Sequence, residues 1–130
     1  MSRIQIVDDD EQLGRSIARL LQREGHECTF ADDIRAAMAR AEGDIDLVVI
    51  ELQPAWLGLV GEYRARLAED RPVPFVITTG RRELFRSLGQ LLGPADDLLT
   101  KPFDAEELVA RIEIAIRRAS NGPRARLSVA

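Results

Sequence analysis

Residues 46–56 read DLVVIELQPAW. Four consecutive apolar residues, three of them β-branched, lead to the carboxylate of Glu51. A continuous apolar run of this length is typical of a strand that is buried on both faces, as in the interior of a parallel sheet. An acid at the end of such a strand is a nucleophile, a metal ligand or neither, and the rest of the sequence has to distinguish these roles.

Four other segments have the length and composition of strands, and the segments between them carry apolar residues at spacings of three and four, which is typical of helices. Five strands, each followed by a helix, predict an α/β fold. The sheet is expected to be parallel and doubly wound, because parallel neighbours require crossover connections that place helices on both faces. The other predicted strands are RIQIV (residues 3–7), ECTF (27–30), FVIT (75–78) and DLLT (97–100).

Capping residues help to delimit three of the five predicted helices. The last one begins at Asp104, with Glu107 three residues later, which is the spacing of a reciprocal capping box. Glycines that can end a helix follow the first two periodic segments. In chain order, the predicted helices are a segment around Leu13–Leu21 that stops at Gly25, a segment from Asp32 or Asp33 to Gly43, segments at about 60–69 and about 83–92, and a segment from Asp104 to about Arg118.

The composition limits the classes of function. A chain of 130 residues with 45% hydrophobic content has the size of one domain. A net charge of -4 argues against a surface that grips nucleic-acid phosphates, so we expect no direct nucleic-acid binding. The single cysteine, Cys28, excludes an internal disulfide, and the absence of a long apolar run predicts a cytoplasmic protein without a membrane segment.

Polar residues follow several of the predicted strands. In an open α/β sheet, ligands bind outside the carboxyl ends of the strands. Three carboxylates about 4 Å apart at a half-buried rim would repel each other by roughly 4 kcal/mol per pair, so they need a cation. Hard oxygen ligands suit Mg²⁺, while a hydroxyl and an ammonium group suit phosphoryl oxygens. The strand-end residues are Asp8, Asp9, Glu51, Thr79 with Gly80, and Lys101 with Pro102, and Lys101 is the only lysine in the sequence.

Four motifs in this order, IVDDDEQL, DLVVIEL, ITTG and LLTKPF, resemble the receiver domain of bacterial two-component response regulators. The resemblance covers residues 3 to about 119. It implies the flavodoxin-like (βα)5 receiver fold and a role in phosphorelay signal transduction, not enzymatic turnover. It also implies a cis peptide bond in the Lys-Pro step. By resemblance, Asp8 and Asp9 bind Mg²⁺, and the phosphoryl pocket consists of Thr79, Gly80, Lys101 and Pro102.

Glu51 departs from the family pattern, which has at this position the aspartate that accepts a phosphoryl group from a histidine kinase. Phosphoryl transfer depends on position. One extra methylene moves the carboxylate by up to about 1.5 Å, and a misplacement near 1 Å costs on the order of 100-fold in rate. We therefore expect Glu51 to imitate the phosphorylated state in part, or to free the domain from its kinase. The alternative is a carboxylate that Lys101 holds without any signalling role.

The loop after Glu51 departs from the pattern as well, because it is one residue shorter than the usual family loop before Gly58. In the family, Gln53 would offer its backbone carbonyl to the metal. We therefore expect Mg²⁺ binding to be weakened or absent. Leu98 stands where the family often has an aromatic switch residue, and we expect it to pack. Trp56, the only tryptophan, is either a lid, a partner anchor or a packing residue.

The stretch ADDLLTKPFDAEELVARIEIAIRRA most closely resembles receivers that precede winged-helix DNA-binding domains, which pair through helix four, strand five and helix five. The resemblance implies an output such as transcription and a weak homodimer, because exposed ion pairs contribute little. We expect residues 1–119 to form the receiver and residues 120–130 to form a tail or the start of a linker to an effector domain. The implied interface residues are Asp96, Asp97, Glu107, Arg111 and Arg118.

Three other functions remain open from the sequence. The first is a working Mg²⁺-dependent phosphoacceptor that uses Glu51. The second is a small phosphatase of the haloacid dehalogenase type, suggested by the spacing of Asp8 and Asp10 with Thr79 and Lys101, although the cap and the second acid pair of that family do not fit in 130 residues. The third is a scaffold in which only the outer faces of the domain matter.

Overall fold

The computed structural model describes residues 2–40, 44–67, 72–89, 92–93 and 95–129, without the side chains of Phe85 and of residues 120–129. All five predicted strands are present, and each lies within one residue of its predicted bounds. They are β1 (Arg3–Val7), β2 (Glu27–Ala31), β3 (Leu47–Glu51), β4 (Phe75–Thr79) and β5 (Asp97–Thr100).

Five α-helices connect or follow the strands. Two short 3₁₀ segments, Pro54–Leu59 and Arg82–Leu84, precede the third and the fourth helix. The helices are α1 (Glu11–Arg23), α2 (Ile34–Ala39), α3 (Val60–Leu67), α4 (Phe85–Leu88) and α5 (Ala105–Val129).

The strands form one parallel sheet in the order β2-β1-β3-β4-β5. The strand order reverses between β1 and β3, so the crevice at this switch point lies at the carboxyl ends of the two strands that carry Asp8 and Glu51. The predicted α/β class and doubly wound (βα)5 architecture are therefore confirmed.

The sheet separates two apolar clusters. One lies between the sheet and helices α2 and α3, and it includes Val48, Ile50 and the fully buried Tyr63. The other lies beneath α1 and α5, and it includes Leu47, Val49 and Leu108. Successive residues of β3 thus face opposite clusters, which explains why this strand reads as an uninterrupted apolar run.

Side-chain caps and glycine define the ends of the first two helices. The carboxylate of Asp10 accepts a hydrogen bond from the Leu13 N–H at 3.0 Å, which fixes the start of α1. After α1, Gly25 adopts a φ of +91°, a conformation that favours glycine. The carboxylate of Asp33 accepts from the Arg35 N–H at 2.7 Å and begins α2. The predicted end of this helix at Gly43 lies outside the described residues.

Helices α4 and α5 differ from their predicted forms. In place of one helix at about 83–92, the chain forms a 3₁₀ turn and a four-residue helix. One further hydrogen bond of helical type joins the Leu92 N–H to the Leu88 carbonyl. The prediction that α5 ends near Arg118 is wrong, since its backbone remains helical to Val129. Nothing in the sequence explains this extension, because Asn121, Gly122 and Pro123 all disfavour the interior of a helix.

Candidate functional site

The carboxyl ends of β1, β3 and β5 bring the predicted acids and the single lysine together. Asp8 directly follows β1 and is 3% exposed. The Lys101 ammonium nitrogen lies 2.7 Å from Oε1 of Glu51 and 3.4 Å from Oδ2 of Asp8. The peptide bond between Lys101 and Pro102 is cis, as the resemblance implied. The convergence of these side chains on one rim is thus observed.

Asp9 completes an acidic group at this rim. One carboxylate oxygen each from Asp8, Asp9 and Glu51 lies within 4.8 Å of the others. The Glu51 carboxylate raises the pKa of Asp9 above its ordinary value, through a hydrogen bond and through its charge, and partial burial of Asp9 acts in the same direction. The charges of these groups therefore repel each other when no cation other than the lysine is bound.

The negative charges at the rim favour the charged form of Lys101, whereas they disfavour the charged form of Asp9. Burial alone would lower its pKa, but the hydrogen bond to Glu51 and the charges of Asp8 and Glu51 outweigh this effect and raise the pKa above its ordinary value. The ammonium group therefore stays charged at neutral pH and offsets part of the negative charge at the rim.

Gln53 holds the second oxygen of Glu51, which the sequence did not predict. Its side-chain Nε2 donates to Oε2 of Glu51 at 2.8 Å, so the carboxylate is held on one side by an ammonium and on the other by an amide. The backbone carbonyl of Gln53, the implied metal ligand, accepts a hydrogen bond from the Trp56 N–H at 2.9 Å. One of its two lone pairs is therefore already used within the loop.

Two threonines and a glycine line the neighbouring strand end. The hydroxyl of Thr79 accepts from the Arg81 N–H at 3.1 Å, and its carbonyl accepts from the Lys101 N–H at 2.8 Å. Gly80 lies beside Lys101, since a Cβ on Gly80 would be 3.7 Å from the Lys101 Cβ. Thr78 pairs in register with Glu51, and among the described residues its buried hydroxyl has no hydrogen-bond partner. Thr78 was not predicted at this rim, and the doublet of threonines at the end of β4 was the available signal.

The donor set fits a divalent cation. Three carboxylates that converge from two strand ends offer the hard oxygen ligands that Mg²⁺ prefers, and Mg²⁺ needs only one or two protein carboxylates besides water. Asp8, Asp9 and Glu51 are the residues that would hold it. The same oxygens also serve Lys101 and Gln53, so a cation would compete with hydrogen bonds that the protein already makes.

Asp96, one of the predicted interface residues, forms its hydrogen bonds and its ion pair inside the protein. Its side chain is 1% exposed and pairs with Arg64, and it also accepts from the backbone N–H groups of Phe75 at 2.8 Å and Gly93 at 2.7 Å. The expectation that Asp96 pairs with a second subunit therefore needs correction, because this carboxylate already has four hydrogen bonds inside the protein.

The other predicted interface residues lie at the surface. Arg111 bonds Asp97 at 3.0 Å and Glu107 at 3.2 Å, and all three side chains are between 33% and 49% exposed. The carboxylate of Asp104 accepts from the Glu106 N–H at 3.0 Å, so the predicted capping partner Glu107 instead bonds Arg111. Arg118 is exposed on α5.

Trp56 and Leu98 both pack. Trp56 is 7% exposed and belongs to the apolar cluster beneath α2 and α3, and the half-buried Leu98 packs against the same cluster. Neither side chain covers the acidic rim as an open lid. Among the described residues, no helix combines the length and the apolar character that crossing a bilayer requires.

Comparisons with known proteins agree with this geometry. The response regulator receiver domain family matches residues 4–113. RegX3 of Mycolicibacterium smegmatis, a sensory transduction protein, is 37% identical over 126 residues, which cover 93% of this chain and 53% of the relative. CpxR of Klebsiella pneumoniae, a transcriptional regulatory protein, is also 37% identical, over 92% of this chain and 51% of the relative. This chain therefore spans about half the length of these curated relatives.

Solved structures agree as well. The non-phosphorylated receiver domain of HemR from Leptospira biflexa is 28% identical and superposes with a TM-score of 0.72, covering 89% of this chain and 94% of that one. A CheY-like receiver from Methanospirillum hungatei has a TM-score of 0.79 over 93% of this chain and 98% of that one, and at 20% identity it supports the fold alone. Because the family match spans most of the sequence and the acidic rim is present, the chain belongs to the response regulator receiver domains of two-component signalling.

Proposed function

We propose that this receiver domain signals without phosphorylation at residue 51. The observation that supports the proposal is the 2.7 Å contact between Lys101 and Glu51, because the lysine that would meet a phosphoryl group is already engaged by a carboxylate of the same chain. The longer glutamate arm carries its negative charge outward from β3, towards the position that a phosphoryl group on an aspartate would occupy. Glu51 thereby imitates the phosphorylated state in part.

Weak Mg²⁺ binding is part of this proposal. A bound cation supplies charge neutralisation for phosphoryl transfer. The oxygens that Glu51 would offer to such a site already accept hydrogen bonds from Lys101 and Gln53, and this competition lowers the affinity for Mg²⁺. The in-line geometry for attack on a phosphoryl donor is also lost, since the nucleophile is displaced by about one carbon-carbon bond, roughly 1.5 Å.

The decisive experiment is a Mg²⁺ titration, with and without beryllofluoride as a phosphoryl mimic, on the natural protein and on Glu51→Asp. Trp56 fluorescence provides the signal, since the backbone N–H of Trp56 donates to the Gln53 carbonyl next to the site. We expect the mimic to change the fluorescence only in the aspartate variant. Incubation with acetyl phosphate and Mg²⁺ tests the competing function. A stoichiometric mass gain on residue 51 of the natural protein would establish Glu51 as a phosphoacceptor and overturn the proposal.

For the output, we propose a surface change on α4, β5 and α5 that controls a partner or a weak homodimer. The exposed network of Asp97, Glu107 and Arg111 supports this proposal, because these side chains can exchange their partners within one subunit for partners in another. Sedimentation velocity over a range of concentrations tests it. We expect Arg111→Glu to abolish the weak self-association, while Arg66→Glu on α3 leaves it unchanged.

The printed descriptions of the relatives support a role in transcription. CpxR is a transcriptional regulatory protein and RegX3 a sensory transduction protein, and each is about twice as long as the part matched here. We infer that this domain regulates an effector that makes the DNA contacts, in the cytoplasm and either downstream of a histidine kinase or independently of one. Fusion of the chain to a reporter DNA-binding domain would test this, with Glu51→Asp as the comparison.

A further inference from the structure

Strand β2 forms one edge of the sheet. The hydrogen bonds at its two ends show which of its backbone groups face β1 and which face outward. The Glu27 N–H donates to the Ser2 carbonyl at 2.9 Å, and the Ala31 carbonyl accepts from the Asp8 N–H at 3.1 Å. In a parallel ladder, alternate residues direct both backbone groups to the same neighbour. Glu27, Thr29 and Ala31 therefore face β1, while Cys28 and Phe30 direct their N–H and C=O groups outward.

One of these four outward groups is covered. A guanidinium nitrogen of Arg40 donates to the Phe30 carbonyl at 2.8 Å. Among the described residues, no donor or acceptor meets the N–H of Phe30 or either backbone group of Cys28. Backbone groups of this kind are strong hydrogen-bonding groups, and an open edge is a template for a further strand.

The open edge faces a groove between two helices. A cavity of about 640 Å³ is bounded by α1 on one side, by α2 on the other and by residues 28–31 of β2 at its floor. The Phe30 ring at the floor packs tightly against α1, because a Cβ on Gly14 would come within 2.2 Å of this ring. The volume is in the range of known ligand pockets, and the position is the one that a sixth strand of the sheet would occupy.

The walls of the groove are basic. Arg15 and Arg19 contribute from α1, and Arg40 contributes from the position that directly follows α2. The charge of Arg15 is balanced by Glu11 at 2.7 Å. For Arg19 and Arg40, no carboxylate partner exists among the described residues, although the chain as a whole carries a net charge of -4. Uncompensated positive charge thus lies on both sides of the open strand, and the one other acid of the groove, Asp32, follows the carboxyl end of β2.

We propose that this groove binds an extended acidic peptide segment of a partner protein, which adds to the sheet beside β2. The backbone of the peptide would bond the free groups of Cys28 and Phe30. Successive side chains of a strand point to opposite faces, so two neighbouring acidic residues would reach Arg19 on the α1 side and Arg40 on the α2 side. This surface lies at the β2 edge of the sheet, whereas the proposed output surface lies at the β5 edge.

The test is a titration of ¹⁵N-labelled protein with a peptide about six residues long, a common strand length. The peptide contains threonine and valine with two adjacent glutamates at its centre. We expect the amide signals of Cys28 and Phe30 to move and to become protected from exchange. A matched peptide with lysines in place of the glutamates should bind at least about fivefold more weakly, because a charge-reversed contact differs by about 1 kcal/mol or more.

Two variants distinguish binding in the groove from non-specific electrostatic attraction between the peptide and the protein. Arg19→Glu should weaken binding of the acidic peptide about fivefold, whereas Arg35→Glu, an exposed charge on α2 outside the groove, should leave it unchanged. Equal binding of the two peptides, or signal changes that avoid β2, would overturn the proposal. So would concentration-dependent protection of the Cys28 and Phe30 amides without peptide, since the occupant would then be a second copy of the chain.

Discussion

At residue 51, the difference between glutamate and aspartate is one methylene group, and the surrounding side chains make this difference matter. The carboxylate of Glu51 reaches Lys101 with one oxygen and Gln53 with the other. A shorter side chain on the same backbone position could not keep both contacts without moving its neighbours. Local side-chain contacts therefore hold the glutamate in its position.

The first prediction concerns Gln53. Replacement by alanine removes the amide that holds Oε2 of Glu51, and this oxygen then becomes available to a cation. We expect Gln53→Ala to strengthen Mg²⁺ binding about fivefold, which corresponds to one hydrogen bond of about 1 kcal/mol. Calorimetric titration measures the effect, with Gln12→Ala on the exposed face of α1 as the control. An unchanged Mg²⁺ affinity would mean that the amide does not restrain Glu51.

The second prediction concerns pH. The pKa of Asp9 is raised above 3.8 in the folded protein, so its contribution to stability is complete below about pH 3.8 and is lost as the pH rises through the folded pKa. At pH 7 the ionised Asp9 is repelled by Glu51. We therefore expect Asp9→Asn to be more stable than the natural protein by about 0.5 kcal/mol at pH 7, after allowance for solvent screening, with no such gain below pH 3.8.

Thermal unfolding at several pH values, with EDTA present, measures this effect. Asp44→Asn, which removes an exposed carboxylate away from the rim, is the control for the change in net charge. A loss of stability in Asp9→Asn at pH 7 would show that Asp9 is held by attraction and not strained by repulsion.

At the scale of elements, β1 and α3 are joined by a buried polar contact. The Tyr63 hydroxyl donates to the side-chain oxygen of Gln5, and both residues are almost completely buried. Burial raises the pKa of the Tyr63 hydroxyl, so this group remains a neutral donor. The contact fixes the position of α3 on the sheet more specifically than apolar packing alone would.

The third prediction follows from this contact. Gln5→Leu and Tyr63→Phe should each reduce the free energy of unfolding by about 1–3 kcal/mol, because each leaves one buried polar group without its partner. The double variant should lose less than the sum of the two, since no group is then left unpaired. Urea denaturation of the four proteins measures the coupling. Additive losses would exclude an interaction between the two side chains.

The fourth prediction compares two adjacent acids at the start of β5. Asp96 ties this segment to Arg64 in α3 and to the backbone N–H of Phe75, the first residue of β4, whereas Asp97 is at the surface and pairs with Arg111. Asp96→Asn should reduce the free energy of unfolding by about 3 kcal/mol, since an amide cannot replace the buried carboxylate that accepts four hydrogen bonds inside the protein. Asp97→Asn should cost less than about 1 kcal/mol. Equal losses in urea denaturation would contradict the assignment of Asp96 to the interior.

These elements differ in how far the sequence predicted them. The interior strands β3 and β4 were predicted to within one residue because a strand buried on both faces reads as a continuous apolar run. Helix α4 was predicted too long, because periodicity over a few turns does not reveal where a 3₁₀ turn ends and a short helix begins. The role of Asp96 could not be predicted, because its partner Arg64 lies 32 positions away and both look like surface charges in the sequence.

The same distinction applies to the site. That Asp8, Glu51 and Lys101 meet was predictable, because parallel strands end at one rim of the sheet. The side-chain contact of Gln53 with Glu51 depends on the rotamers of both residues, and a sequence pattern carries no information about these. The open groups of β2 likewise depend on which strand lies at the edge, which the strand order in the folded sheet determines.

At the scale of the whole molecule, the rim couples cation binding to global stability. The fifth prediction is that Lys101→Gln unfolds at a lower temperature than the natural protein in EDTA, because three carboxylates then lack their ammonium group. Mg²⁺ should restore much of this loss. A concentration ten times the dissociation constant adds about 1.4 kcal/mol. Calorimetric scans with and without Mg²⁺ measure the effect, and potassium chloride at equal ionic strength is the control for screening. If both salts restore stability equally, no cation site is present.

The order of the strands also has a consequence for synthesis on the ribosome. The first three strands carry all of the rim carboxylates, but the ammonium group arrives only after β5, about fifty residues later in the chain. A nascent chain that has already paired β1 with β3 must hold its acids together without their counter-charge. Divalent cations would offset the negative charge of this unfinished chain, and less of that charge is left to offset once Lys101 contacts Glu51 and Asp8.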